Sequence, residues 1–267
     1  MDRSLKRYGD WALVTGASSG IGRAMAERFC KDGLNCVLVS NEQAPLEQAA
    51  KAMAEKHRVR TIACVCDLST PGVLETIRKS TKGIAIDVLV NCASFGVLGP
   101  FYKTPLATYL EGINVSVVSY LTLTYEFLKP MLDRDRGAVI LVSSVNAFAP
   151  VGYSAVYTAE KAFELYFGEA LWKELRDKKS KVDMLTICAS ATKTNFQARA
   201  GTRTAPWAWE PEEAVKVALR KLGKRPSVTL SWRGKAFQHV TRLLPRSLAV
   251  RVATWAITST LLKHRGE

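Results

Sequence analysis

A rhythm of short apolar runs and longer helical stretches constrains this chain more than any single motif. The runs lie at 11–15 (WALVT), 35–40 (NCVLVS), 61–66 (TIACVC), 87–92 (DVLVNC), 137–144 (GAVILVSS) and 183–189 (DMLTICA). Helical patterning fills 21–32, 44–57, 71–82, 104–131 and 154–179. A strand that is apolar on both faces needs cover on both, and parallel strands joined through helices supply it. The pattern predicts an α/β fold, a doubly wound parallel sheet in a single domain, with ligands held at the carboxyl ends of the strands.

The first run leads straight into TGASSGIGRAMAERFC, so Gly16, Gly20 and Gly22 leave a strand and open a helix. Glycines let backbone turn tightly and lie close to a pyrophosphate, which the free N–H groups and positive end of the helix then hold. Ser18, Ser19 and Ile21 belong to the same loop. This makes the sheet Rossmann-like and points to a dinucleotide. Preference among dinucleotides is read after the second run, where an acid would bond the adenosine ribose and repel a 2′-phosphate. Ser40 and Asn41 stand there, with Arg23 near the glycines, so NADP(H) is expected ahead of NAD(H), although no arginine follows Ser40 to clamp the phosphate. Asp67, followed by Leu68, ends the third run and is placed for the adenine amino group. Capping of the next segment, with Ser69, is its other reading.

Charge and cysteine bound the rest. Lys and Arg number 38 against 24 Asp and Glu, a net +14 that favours anionic partners and says nothing of fold. No module of interleaved basic and aromatic residues accompanies it, so a nucleic-acid partner is not expected. The six cysteines form no CxxC pair or zinc spacing and read as buried thiols of a reducing compartment. The opening MDRSLKRYGDWALVTG lacks the apolar core of a secretory signal, and no run reaches about 18 apolar residues. A cytoplasmic protein, soluble or peripheral on a membrane, is expected.

Two tyrosine–lysine pairs have helical spacing: Tyr125 with Lys129 in YEFLK, and Tyr157 with Lys161 in SAVYTAEKAFELYF. Four residues apart, each pair shares a helix face, where an ammonium favours the phenolate and lowers a pKa normally about 10. With eight tyrosines in the chain, one accidental pair is expected. Spacing alone does not choose between them.

TGASSGIG, Asn114 in EGINVSVVSYL, the serine-ended ILVSS and YTAEK together resemble the short-chain dehydrogenase/reductase family over about residues 8–194. The opening YGDWALVTGASSGIG and VLVSN…LEQ are similar to its branch of very-long-chain 3-oxoacyl reductases and 17β-hydroxysteroid dehydrogenases. The family sets a catalytic serine thirteen residues before its tyrosine. That position is Ser144 for Tyr157 but Gly112, without a hydroxyl, for Tyr125, whose Lys129 meets the helix-ending Pro130. Tyr125 is left as packing.

The resemblance implies that Tyr157 exchanges a proton with the substrate oxygen and that Ser144 donates to it. It implies that Lys161 supports the phenolate and holds the nicotinamide ribose, and that Asn114 holds a water leading from the lysine to solvent. A polar residue bending its helix is the other reading of Asn114. Asn91, Ala93 and Thr194 are implied cofactor contacts, with Thr194 at the carboxamide. The family's NNAG is here NCAS at 91–94, and its Pro-Gly is Ala189-Ser190, both departures touching the cofactor cleft. No metal is called for, since serine, phenol and ammonium supply the polarisation.

Residues 1–232 are then the catalytic domain, with a substrate lid near 195–210, and 233–267 a basic helical extension. In the lid, Phe196, Trp207 and Trp209 offer apolar surface and Arg199 and Arg203 positive charge. This fits a lipophile with an anionic handle, or only an aromatic-packed loop. Pro245 divides the tail into two helices, in the second of which Leu248, Val252, Trp255 and Leu262 recur at helical intervals. Seven lysines and arginines from Arg233 to Arg265 face Glu267 alone. Such a helix lies on an anionic bilayer or docks on its own or a partner subunit. The expected function is hydride transfer between NADP(H) and a lipophilic ketone or secondary alcohol, 3-oxoacyl or steroid-like, in a homo-oligomer. The alternative is a cofactor-binding regulatory protein with little or no turnover.

Overall fold

The computed structural model describes residues 4–261. Along the chain run β1 (Trp11–Thr15), α1 (Gly20–Lys31), β2 (Asn35–Ser40), α2 (Gln43–His57), β3 (Thr61–Val65), α3 (Val73–Ser80) and β4 (Val88–Asn91). Then come α4 (Leu106–Ile113), α5 (Ser119–Asp133), β5 (Ala138–Ser144), α6 (Ala155–Asp177), β6 (Asp183–Ala189) and α7 (Phe196–Arg199). The last elements are α8 (Pro211–Leu219), β7 (Ser227–Thr229), α9 (Trp232–Leu243) and α10 (Arg246–Leu261). All strand pairs are parallel, in the order β3-β2-β1-β4-β5-β6-β7. The expected doubly wound sheet is the observed one.

Its two faces explain the unbroken apolar runs. On β1, Ala12 and Val14 pack with α1, α2 and α8, whereas Trp11 and Leu13 pack with α3, α5 and α6. Alternate side chains thus enter opposite cores, and neither parity can be polar. Two elements lie outside the stretches expected from the sequence. Strand β7 is three residues long, too short for alternation to register, while α8 announces itself chemically, with Pro211 opening it and Glu212 and Glu213 in its first turn.

The long helix expected at 104–131 is interrupted. Between α4 and α5 the residues Asn114–Val118 form a π turn, a wider winding that recurs at functional sites. Pro130 does not end α5, which continues to Asp133. The tail folds back onto the sheet's carboxyl end. Thr254 accepts a hydrogen bond from the Gly152 amide at 2.8 Å, and Ala253, Phe237 and Ile257 pack with Ala149 and Val151. Pro245 does separate α9 from α10. Leu248 and Trp255 stay exposed on the outer side of α10, and Leu262, Lys263, Arg265 and Glu267 lie outside the described residues. No helix among the described residues is long and apolar enough to cross a membrane. All six cysteines are free thiols.

Candidate active site

Strand order reverses between β1 and β4, and the two chains leaving those strands part around a crevice. Thr15, at the end of β1, pins both walls: its hydroxyl accepts from the amides of Cys92 at 2.9 Å and Ala93 at 3.1 Å. Gly16 has φ +66° and lies so near Ala93 that a Cβ would meet the latter's Cα at 3.0 Å. The crevice opens into a cavity of about 790 Å³. Gly16, Ser18, Ser19, Gly20, Ile21, Gly22, Ser40, Asn41, Asp67, Leu68, Ala93, Ser144, Tyr157, Lys161 and Thr194 all line it. A glycine cradle at the start of α1 fits a pyrophosphate, and the Ser94 hydroxyl on the wall is buried without a hydrogen-bond partner, as a group awaiting a ligand would be.

Three of the four catalytic candidates, Ser144, Tyr157 and Lys161, come together in this cavity. Ser144 ends β5, and its hydroxyl lies near enough to the phenol of Tyr157, in the first turns of α6, to pull that phenol's pKa down. Lys161 is one turn further along α6, its ammonium 5.4 Å from the centre of the Tyr157 ring. The expected lowering of the phenol pKa is not what the surroundings give. Burial pushes it up, and Lys161 and the Ser144 hydroxyl pull it down without cancelling that. The phenol is therefore held protonated.

Part of the reason is a residue the sequence reading passed over. Glu164 is fully buried one further turn along α6, and its two carboxylate oxygens take the Lys161 ammonium at 2.8 and 3.0 Å. Burial works against the lysine's charge, but Glu164 and the Tyr157 phenol outweigh it and raise its pKa. Burial in turn pushes Glu164 up to about 8 against the pull of Lys161. Glu160, also buried, is raised by burial too and keeps one carboxylate oxygen unpartnered. Acids at the third and seventh positions after Tyr157, on the lysine's face of a helix, were the available signal.

Asn114 is not on the cavity lining. It opens the π turn, and its side-chain amide donates to the Ser69 carbonyl at 3.0 Å. Asn91 is also off the lining, fully buried, with its amide donating to the Tyr120 carbonyl and the Thr124 hydroxyl. It joins β4 to α5 rather than facing a cofactor. Tyr125 is no packing residue either: it is 78% exposed.

At the adenosine end, Asp67 spends one carboxylate oxygen on the Ser69 amide and hydroxyl while still lining the cavity. Arg23 is exposed and off the lining. An uncounted acid is present. Glu42 accepts from the Ser18 hydroxyl at 2.6 Å, and the lid's Arg199 reaches it at 2.7 Å. Ser18, then Arg199, hold this carboxyl below its ordinary range.

The opposite end of the cavity belongs to the lid and tail. Phe196 lies 5.5 Å from the Tyr157 ring, and Trp207, Arg233, Phe237, Ala256 and Ile257 complete the mouth. The tail thus walls the site, a role its sequence did not disclose. Ser190 explains one departure. Its hydroxyl donates to the Leu230 carbonyl and accepts from Ser231 at 3.0 Å, tying the end of β6 to the base of α9. The helix approaches so closely there that a Cβ on Gly234 would collide with Ser190 and lie 2.9 Å from Val145.

Known proteins agree with this geometry. The family model described as short chain dehydrogenase matches residues 10–205. A 7beta-hydroxysteroid dehydrogenase of Collinsella aerofaciens is 31% identical over 88% of this chain and 90% of its own. A very-long-chain 3-oxoacyl-CoA reductase of Mus musculus is 32% identical over 84% of this chain and 72% of its own. A solved structure reported for 7beta-hydroxysteroid dehydrogenase stereoselectivity superposes with a TM-score of 0.87 at 30% identity, covering 94% of this chain and 99% of that one. Fold, matched span and shared identity agree: the chain belongs to the short-chain dehydrogenase family, NAD(P)-dependent oxidoreductases acting on CH–OH groups.

Proposed function

We propose that this protein interconverts a lipophilic ketone and its secondary alcohol with NADP(H). One observation carries the reading: the hydroxyls of Ser144 and Tyr157 meet beside Lys161 on the floor of a cavity whose mouth is walled by Phe196, Trp207, Phe237 and Ile257. A bound nicotinamide dinucleotide supplies or takes the hydride, and would be held by Gly16–Gly22, Ser40, Asn41, Asp67, Leu68, Ala93 and Thr194. Ser144 donates to the carbonyl oxygen as charge builds on it. Tyr157, kept protonated by burial, gives that oxygen its proton, and the apolar mouth keeps water out. Lys161 steadies the phenol's charge through its ammonium.

Arg199 supports the phosphorylated cofactor, being the cation at the adenosine end that no residue after Ser40 offers. Glu42 opposes it, and a 2′-phosphate dianion must draw the guanidinium away from that single carboxylate. Titration of 2′-phosphorylated against plain ADP-ribose tests this. Arg199→Met is expected to weaken only the phosphorylated form, and equal affinities of the native protein for both would reject NADP(H). The reaction itself is tested with a panel of ring ketones and 3-oxoacyl thioesters under both reduced dinucleotides; no turnover of any member would reject it.

A second reading, dinucleotide binding with little or no turnover, draws on the Lys161 ammonium being engaged by Glu164. It predicts tight dinucleotide binding beside a silent panel. On assembly we propose a homo-oligomer, supported by the exposed Leu110, Val118 and Leu121 on α4, the π turn and α5. Contact with an anionic membrane is supported by exposed Leu248 and Trp255 beside Arg246 and Arg251. Trp255→Ser would then reduce co-flotation with anionic vesicles.

A further inference from the structure

The cations lining the cavity are Lys161, Arg199 and Arg233. Lys161 is held by Glu164 and Arg199 by Glu42. Arg233 is held otherwise, by two indole faces: its guanidinium lies 4.7 Å from the ring of Trp207, on the lid, and 4.6 Å from that of Trp232, at the start of α9. Among the described residues no carboxylate pairs with it. The lining carboxylates are Glu42 and Asp67, after β2 and β3 towards the other edge of the sheet, and Glu111 on α4; none stands on the lid or on α9.

Stacking occupies the faces of a guanidinium and leaves its edge, a planar fork of N–H donors, free to bind two oxygens at once. The indoles also restrain the side chain, so little rotamer freedom remains to be lost on binding. Phe196, Phe237 and Ile257 also line the cavity, beside the polar Ser190 and Ser231. Gly234, the next residue, lies against Val145, the residue after Ser144. The cavity therefore holds a cation fixed by aromatic faces as well as the Ser144–Tyr157 pair.

We infer that Arg233 is an anion-binding subsite, and that the preferred substrate is a lipophilic ketone carrying a carboxylate or phosphate at the end remote from its carbonyl. This rests on the carbonyl-reducing reading of the site and narrows it to a substrate class. It also moves the anionic handle from Arg199, which belongs to the adenosine end, to the tail.

Two ligand pairs separate the sources of negative charge: a ring ketone with a carboxylate side chain against its methyl ester, and a 3-oxoacyl-CoA against the same acyl group on N-acetylcysteamine. Binding to the full chain is followed by tryptophan fluorescence, since Trp207 and Trp232 flank the site, and needs no turnover. The expected result is that the native protein favours the charged member of at least one pair by about tenfold, that Arg233→Met abolishes the preference without weakening the neutral member, and that Arg233→Lys keeps part of it. Preference for the charged member only in the CoA pair would assign the subsite to phosphate, and only in the ring pair to carboxylate. Equal affinity within both pairs, or a preference that survives Arg233→Met, would overturn the inference. Turnover of the neutral members is measured separately, so a failed reductase reading shows as binding without reaction.

Discussion

On α5, Tyr125 and Lys129 stand in water: the tyrosine is 78% exposed, and the lysine reaches Asp133 at 3.3 Å with 76% of its side chain accessible. On α6, Tyr157 and Lys161 repeat the same spacing, and there the lysine side chain is 3% accessible and bound by the carboxyl group of Glu164, with none of that side chain exposed. Each lysine even has an acid one turn beyond it. The chemical letters are equivalent and the environments opposite. In water the ion pair is screened and the phenol has nothing to act on; at the end of β5 the phenol meets a second hydroxyl, and desolvation makes each neighbouring charge count. On the proposed reading, reactivity is a property of address.

The largest test of that contrast is removal of each phenol oxygen. Tyr157→Phe is expected to lower ketone reduction by about 10² to 10⁴, the usual worth of a positioned proton donor. Tyr125→Phe should leave it within experimental scatter. Steady-state reduction of one ketone by both variants suffices, and a Tyr157→Phe enzyme with native rates would end the assignment. The direction of the pKa shift adds a second expectation. Because Tyr157 lies above the ordinary tyrosine value of 10.0, the donor form persists through neutral and mildly alkaline solution. Reduction should show no loss attributable to this group until pH exceeds that value.

A smaller effect separates the two acids. Glu164 is raised from 4.5 to about 8 by burial, so the folded protein holds a proton that the unfolded chain has released. The stability this group contributes is fully present below its unfolded pKa and is lost as pH rises through the folded one. Melting temperatures of the native protein relative to Glu164→Gln should therefore decline between pH 4.5 and 8 and level off above. Asp133→Asn, at an exposed pair, should follow the native curve throughout. A difference between the native protein and Glu164→Gln that stays constant across that window would show that Glu164 is ionised at every pH tested.

What was legible in the sequence follows the range of the interactions involved. Strands buried on both faces write themselves as unbroken apolar runs, so β1, β2 and β6 were readable to the residue. The glycine turn was readable because strand, turn and helix are contiguous. Ser144 was legible through the family resemblance, which sets a serine thirteen residues before the tyrosine, at a strand end. Glu164 was within reach, as a charged residue on the face of α6 that Lys161 already marked, but an acid in a helix usually signals a wet surface. Glu42 and Arg233 were out of reach. The first matters only because Ser18 folds it back over the glycine loop, and the second only because the chain returns after β7 to close the mouth. Both are tertiary events between residues far apart in the chain. Burial, too, outweighed the lysine's local pull on Tyr157, and no local spacing reports burial.

The least effect on chemistry is expected where the comparison bears on assembly. If Tyr125 neither packs within its own chain nor reacts, its exposure beside Leu121, Val118 and Leu110 asks for another explanation. A second copy covering this stripe supplies one, since apolar side chains at helical spacing along α4 and α5 form a continuous ridge. The double variant Leu121→Glu, Tyr125→Glu should then sediment at lower mass than the native protein, while each subunit keeps its Ser144–Tyr157 geometry and most of its ketone turnover. Lys129→Met, at the stripe's wet margin, should alter neither. Unchanged sedimentation of the double variant would mean that the α5 tetrad faces solvent alone, leaving the contrast with α6 one of burial without any role in assembly.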